Sequence, residues 1–272
     1  MERIRQAVEQ ASRDRNDQAG AAVSPRRHAG RNPAIPAVAD NIQYSETRTV
    51  EVSLATREKN RLVAAIPGHP MQDIYRMLRT RVLQKMKENN WATLGVTSPA
   101  TGSGKTLTAI NLAISIARDL SHTALLFDAD LRYPSVYKYF GYTPEYGLND
   151  YLFNDVPLNK ILFHPNMDRL TVLPGREPIY ESAEILSSPK LLSLLQEMRS
   201  NYADRLIIAD IAPVLSIDDA LALAPHIDCM LIVVESGATK GADLHRTMEL
   251  MQGIPIIGTV LNKVDTKVIK AY

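Results

Sequence analysis

From Met71 onward, short apolar runs alternate with segments of helical period. Met71–Lys87 sets Ile74, Met77, Leu78 and Val82 on one face and predicts a helix. Trp91–Thr97 predicts a strand that runs straight into a glycine-containing turn, and Leu107–Leu120 predicts the helix after it. Thr123–Phe127, Leu206–Ala209, Met230–Val234 and Ile256–Leu261 predict further strands, with helices over Ser188–Ser200 and Asp243–Met251 between them. These strands are continuously apolar rather than alternating, the pattern of strands covered on both faces. Strands of that kind interleaved with helices predict an α/β fold: a parallel twisted sheet with helices on both faces.

The first 70 residues read differently. Ile4, Val8 and Ala11 fall on one face of a short amphipathic segment. Ala19–Ala39 holds Pro25, Pro33 and Pro36 and few large apolar residues, which predicts a flexible linker. Thr47–Ala55 alternates Val50, Val52 and Leu54 with polar residues and predicts a short strand. The expected organisation is a flexible N-terminal extension over 1–70, a nucleotide-binding domain over 71–267 and a tail over 268–272.

Composition narrows the function classes. The chain of 272 residues is 45% apolar and 22% charged, an ordinary globular balance. A net charge of +1 gives no electrostatic reason to expect nucleic acid as a partner. The single cysteine, Cys229, lies in an apolar run and reads as a buried, inert thiol in a reducing compartment. No apolar stretch reaches the ~20 residues of a membrane helix, and the opening MERIRQAVEQASRDR has no apolar segment of a secretory signal. The expectation is a cytoplasmic protein with no direct membrane span.

The strongest motif is Pro99-Ala-Thr-Gly-Ser-Gly104-Lys105-Thr106, between a predicted strand and a predicted helix. A P-loop needs that setting. Its backbone N–H groups cradle phosphate oxygens, and the helix N-terminus adds its positive end. Ala100, Thr101, Gly102, Ser103, Gly104, Lys105, Thr106 and Leu107 are the candidate nucleotide contacts. Lys105 would meet the β- and γ-phosphates, and the Thr106 hydroxyl would bind Mg²⁺. Pro99 stands where the usual pattern has its first glycine.

Acidic residues follow at the strand ends, where ligands gather in parallel sheets. Asp210 follows Leu206-Ile-Ile-Ala209 in a Walker B arrangement, and Asp128 and Asp130 follow Leu125-Leu-Phe127. One such Asp is commonly a cap or turn residue. Three around one P-loop point to a metal-assisted phosphoryl transfer.

Together these residues resemble the Walker A, A′ and B motifs of the bacterial tyrosine kinases. The stretches concerned are the P-loop, Asp128-Ala-Asp-Leu-Arg-Tyr-Pro-Ser135 and Asp210-Ile-Ala-Pro-Val214. Gly147–Leu152, Leu170–Pro174, Ala183–Ser188 and Val260–Val264 extend the likeness across Met71–Lys267. The opening Ile4–Ala11 is similar to that of the stand-alone autokinases of exopolysaccharide loci. The resemblance implies an ATP-dependent protein-tyrosine autokinase that regulates exopolysaccharide export, with ATP and Mg²⁺ as cofactors. It implies catalytic roles for Lys105, Asp128 and Asp130, with Asp128 assisting the attacking hydroxyl. Thr106, Asp130 and Asp210 would organise the metal, and Asn262 would contact the adenine side. A membrane polysaccharide co-polymerase would be the activator, recruiting the chain to the inner face of the membrane. Asp73-x-x-Arg76-x-x-Arg79 resembles the Glu-x-x-Arg-x-x-Arg helix through which these kinases self-associate; the same residues also read as a solvated charge pair.

The chain departs from the family at three places. Its tail, Val268-Ile-Lys-Ala-Tyr272, carries one tyrosine instead of a cluster, Asp210-Ile-Ala-Pro213 replaces Asp-Thr-Pro-Pro, and Asp replaces Glu at 73. A second tyrosine group, Tyr133, Tyr137, Tyr139, Tyr142, Tyr146 and Tyr151, reads as acceptors, as a partner surface or as packing. Other readings stay open. An ATPase switch of the chromosome- and septum-positioning kind shares the fold, although its signature lysine is here Ala100. Asn262-Lys-Val-Asp265 spells a guanine-reading motif, but Asp210 lacks the glycine of a GTPase switch. A scaffold that binds ATP without transfer is the fourth.

Overall fold

The computed structural model describes residues 47–200 and 204–265. The expected amphipathic segment at Ile4–Ala11, the linker at Ala19–Ala39 and the tail with Tyr272 lie outside the described residues. In chain order the elements begin with β1 (Arg48–Thr49), α1 (Leu54–Lys59), α2 (Gln72–Glu88), β2 (Thr93–Thr97), α3 (Lys105–Ala117) and β3 (Thr123–Ala129). Then come α4 (Val136–Tyr139), α5 (Leu148–Asn154), α6 (Leu158–Ile161), β4 (Phe163–His164), β5 (Leu170–Leu173), α7 (Ser182–Leu186) and α8 (Pro189–Ser200). The chain continues with β6 (Arg205–Ile211), α9 (Asp219–Leu223), β7 (Cys229–Glu235), α10 (Gly241–Leu250) and β8 (Ile256–Asn262).

The strands form one sheet in the order β1-β4-β5-β3-β6-β2-β7-β8. Every pairing is parallel except β4 with β5. The continuous apolar runs have the predicted cause. Side chains alternate along a strand, so Ala124 and Leu126 of β3 enter one core cluster and Leu125 and Phe127 enter the other. Helix α3 packs into the first cluster through Ala109, Leu112 and Ile116, while Leu191 and Leu194 of α8 and Leu223 of α9 belong to the second. Cys229 is buried, and burial pushes its thiol up to about 12, so it is inert as expected.

Gly95 shows how closely the central strands are covered. A Cβ there would overlap the side chains of Met230 and Ile211. Gly95→Val should therefore cost about 1–3 kcal/mol of stability. Urea unfolding checks this, and an unchanged midpoint would count against the packing described.

Two expectations upstream are corrected. The strand predicted over Thr47–Ala55 is only β1, extended by a bond from the Val50 N–H to the His164 carbonyl. Ser53 ends it by capping α1, its Oγ accepting from the Thr56 N–H at 3.1 Å. Val52 is buried, but Leu54 is exposed at the start of the helix. The boundary at 70/71 also falls inside a packed region, because Leu62, Ala64 and Ala65 are core residues. Buried Asn111 of α3 ties that segment down. Its Oδ1 accepts from the Ala64 N–H at 2.9 Å, and its Nδ2 donates to the Arg61 carbonyl at 3.1 Å.

The apolar face predicted for α2 is also partly turned. Val82 and Met86 are buried and Tyr75 and Leu78 pack beside them, whereas Ile74 and Met77 are 38% and 58% exposed. The sequence offered an apolar stripe wider than the contact with the core, and its outer edge faces solvent.

Candidate active site

The loop after β2 turns at Gly102 and Gly104, with φ of 81° and 88°, values that favour glycine. Gly104 is the N-cap of α3. The hydroxyls of Ser98 and Ser103 both donate to the Ala100 carbonyl, at 2.8 and 3.0 Å, and knit the loop together. Pro99 fits because its bond uses only its carbonyl, which accepts from the Leu215 N–H at 3.2 Å.

Register brings the acidic residues to this loop. In the parallel pairing of β3 with β6, Asp128 lies directly beside Asp210. Alternation along the chain then places Asp130 on the same side as Asp128. Lys105, at the first turn of α3, reaches into this group. Its Nζ lies 2.8 Å from Asp130 Oδ2 and 3.3 Å from Asp210 Oδ1. The Thr106 hydroxyl donates to Asp210 Oδ2 at 2.6 Å. Asp128 Oδ2 accepts from the N–H groups of Ser135 and Val136 at 2.9 and 3.0 Å, while its Oδ1, also buried, has no hydrogen-bond partner.

The electrostatics follow from burial. Asp128 is pushed up to about 8, by burial first and then by the negative charge of Asp210, against its backbone bonds and Lys105. Burial likewise raises Asp210, against the pull of Lys105 and Thr106. For Lys105 burial is the largest influence and works downward, yet the combined carboxylates of Asp210 and Asp130 hold the ammonium above its usual range.

A cavity of about 610 Å³ opens over the loop, lined by Thr101, Gly102, Gly104, Lys105, Thr106 and Asp130, with Arg132, Tyr133 and Arg176 on its walls. Ala100 and Ser103 serve the loop from within, and Leu107 packs against the core. Asn262 is the residue expected on the adenine side. Its Nδ2 donates to the Ser103 carbonyl at 2.9 Å, so close behind Gly104 that a Cβ there would strike it. Asn262 thus braces the phosphate loop from behind.

Most of the tyrosine group packs as the third reading held. Tyr137, Tyr139 and Tyr142 lie against one core cluster, and Tyr146 and Tyr151 against the other. The Tyr139 hydroxyl is raised, by burial first and then by the charge of Asp210. Tyr133 is 74% exposed on the cavity wall. Arg132 could have been suspected from its place in Asp128-Ala-Asp-Leu-Arg132. Arg176 carried no local signal and arrives from the loop after β5.

Among the described residues, no group of three or more His, Cys, Asp or Glu side chains is set to hold a metal. The donors present nevertheless suit Mg²⁺, which takes few protein ligands and completes its shell with water and phosphate oxygens. The Thr106 hydroxyl already touches Asp210, and Asp130 stands across Lys105.

A phosphate loop at a strand-to-helix turn, with carboxylates from two adjacent parallel strands beside its lysine, defines a P-loop nucleotide-binding α/β protein. Residues 94–271 match the CbiA family, the CobQ/CobB/MinD/ParA nucleotide binding domain, and the chain belongs to that family. Its relatives include the putative tyrosine-protein kinase EpsB of Ralstonia solanacearum, 28% identical over 219 residues, covering 78% of this chain and 28% of EpsB. The tyrosine-protein kinase YwqD of Bacillus subtilis is 28% identical over 207 residues, covering 75% of this chain and 86% of YwqD. The kinase domain of Escherichia coli tyrosine kinase ETK superposes with a TM-score of 0.68 at 26% identity, covering 80% of this chain and 91% of that domain. The chain thus spans little more than a quarter of the length of EpsB. No described helix is long and apolar enough to cross a membrane.

Proposed function

We propose that the chain is an ATP-dependent protein-tyrosine kinase that phosphorylates itself in the control of exopolysaccharide export. One observation carries the reading: Asp128 is buried beside Asp210 with one oxygen unpartnered, next to a phosphate-loop lysine. A scaffold that binds ATP without transfer has no need of that spare acceptor. A tyrosine hydroxyl that must lose its proton does.

Lys105 and the N–H groups of the loop would hold the β- and γ-phosphates, and Thr106, Asp210 and Asp130 would hold Mg²⁺. The metal supplies positive charge that offsets charge on the transferred phosphoryl group. Asp128 would ionise as positive charge gathers beside it. It would then take the hydroxyl proton as the tyrosine oxygen bonds to phosphorus and ADP leaves. Positioning and charge neutralisation carry the rate.

The test is incubation with Mg-[γ-³²P]ATP, with and without the membrane co-polymerase expected as activator, followed by phosphopeptide mapping. Label on tyrosine that is absent from Lys105→Met is the expected result. No tyrosine label, or equal label in Lys105→Met, would refute it. Partner-stimulated ATP hydrolysis without phosphotyrosine would favour the switch ATPase, a reading supported by family membership.

Helix α2 is proposed as the self-association surface. Arg76 pairs with Asp73 at 2.8 Å in the open, beside exposed Met71, Ile74 and Met77. Arg79 instead turns inward and donates to the Ser115 carbonyl at 2.9 Å. Met77→Glu should shift the chain to monomer in sedimentation velocity without changing its melting temperature by more than a few degrees. An unchanged oligomer distribution would remove α2 from the interface.

A further inference from the structure

Beyond the carboxylates, one buried polar chain leads from the cavity into the fold. Arg132 stands on the cavity wall with Lys105 and Thr106. Its Nε donates to Ser182 Oγ at 3.0 Å, and that hydroxyl donates to Asp219 Oδ1 at 2.6 Å. Ser182 opens α7 and Asp219 opens α9, and both residues are fully buried. The two short helices pack on each other. Asp219 Oδ2 has no hydrogen-bond partner, so the serine is this carboxylate's one bonded neighbour, with Arg132 beyond it.

The direction of this chain is fixed by chemistry. A guanidinium can only donate, so the serine oxygen must accept from it and give its own proton to the aspartate. With Nε held from behind, the plane of the guanidinium is set. Its two terminal nitrogens form no hydrogen bond or ion pair among the described residues. A planar pair of donors is suited to two oxygens of a phosphoryl group. Lys105 is already engaged by Asp130 and Asp210, whereas the outer edge of Arg132 is not.

We propose that Arg132 contacts the transferred phosphoryl group in the transition state, and that Ser182 and Asp219 are positioning residues that hold its guanidinium in place. The inference rests on the phosphoryl-transfer reading above. It adds residues from two helices that no motif in the sequence connects to the phosphate loop.

The test is a mutant cycle in the full chain with Mg-ATP at saturation, read as single-turnover phosphotyrosine formation and, separately, as affinity for a fluorescent ATP analogue. Arg132→Ala should slow transfer by about 10²–10³-fold, the effect of losing one preorganised transition-state donor, with nucleotide affinity within a few-fold. Ser182→Ala and Asp219→Asn should each slow transfer by about 10-fold, and Ser182→Thr, which keeps the hydroxyl, should restore it. Once Arg132 is alanine, adding Ser182→Ala should cost nothing more, because both changes remove one contact. A purely structural Ser182 would lower the melting temperature and its effect would add to that of Arg132→Ala; that result overturns the proposal. Full transfer in Ser182→Ala overturns it as well.

The kinase reading fails separately. If the wild type hydrolyses ATP but makes no phosphotyrosine, the same cycle is read on hydrolysis. Non-additivity there upholds the arginine relay, and additivity overturns it. A wild type that turns over no ATP with the activator present overturns both.

Discussion

Lys105→Met should reduce nucleotide-dependent turnover by at least about 10³-fold, the scale seen when a cation that stabilises a phosphoryl transition state is removed. The effect comes from two sides. Lys105 is the protein cation between Asp130 and Asp210, and the one expected at the β- and γ-phosphates. Without it, the carboxylates of Asp128, Asp130 and Asp210 stay buried together with no ammonium among them. Breaking a buried ion pair costs about 3–5 kcal/mol when the remaining charge cannot be neutralised. Here it can be, by protonation, so the variant stays folded and its stability deficit grows as pH rises. Single-turnover assays and thermal melts at pH 6 and pH 8 check both parts. Substantial turnover, or a deficit that shrinks with rising pH, would contradict the role assigned to the lysine.

Asp128→Asn should slow phosphoryl transfer by about 10²–10⁴-fold, the usual contribution of a general base, while ATP affinity changes only a few-fold. The change is nearly isosteric in this setting. Asp128 Oδ2 alone accepts both backbone bonds, so an amide carbonyl can take its place. A loss of ATP affinity equal to the loss of rate would show that Asp128 binds rather than reacts. The same variant carries a stability signature. In the folded chain without nucleotide Asp128 titrates at about 8, against ~3.9 when unfolded. Between those values the folded state holds a proton that the unfolded state does not, so stability falls as pH rises through that window. At pH 8 and above most of the penalty is in force. Asp128→Asn lacks this titration, so its melting temperature should fall less with pH and exceed that of the wild type at pH 8. Parallel melting curves from pH 5 to pH 9 would contradict the burial assigned to Asp128.

Much of this site was legible in the sequence because its signals are local. A glycine-containing loop ending in Lys105 and Thr106 announces its chemistry within eight residues. The strands announced themselves because burial on both faces leaves no room for alternation. What could not be read depends on partners distant in sequence. Asp128 meets Asp210 only because β3 lies next to β6, an order set by packing across the whole sheet. The bond from Asn262 to the back of the phosphate loop appears only once β8 is placed beside it. Ser182 and Asp219 lie on separate helices and become partners through tertiary contact. The buried face of α2 is narrower than its apolar stripe for a related reason. Periodicity marks an apolar stripe, but tertiary packing decides how much of it is covered.

Lys105, Thr106 and the three aspartates are expected to converge on one metal-bound nucleotide. Calorimetric titration of ATP tests it most directly, in Mg²⁺ and again in EDTA. The structure predicts saturable single-site heat in Mg²⁺, clear weakening in EDTA and loss of the signal in Lys105→Met. Absence of heat in the wild type, or an isotherm indifferent to both the metal and the lysine, would contradict it.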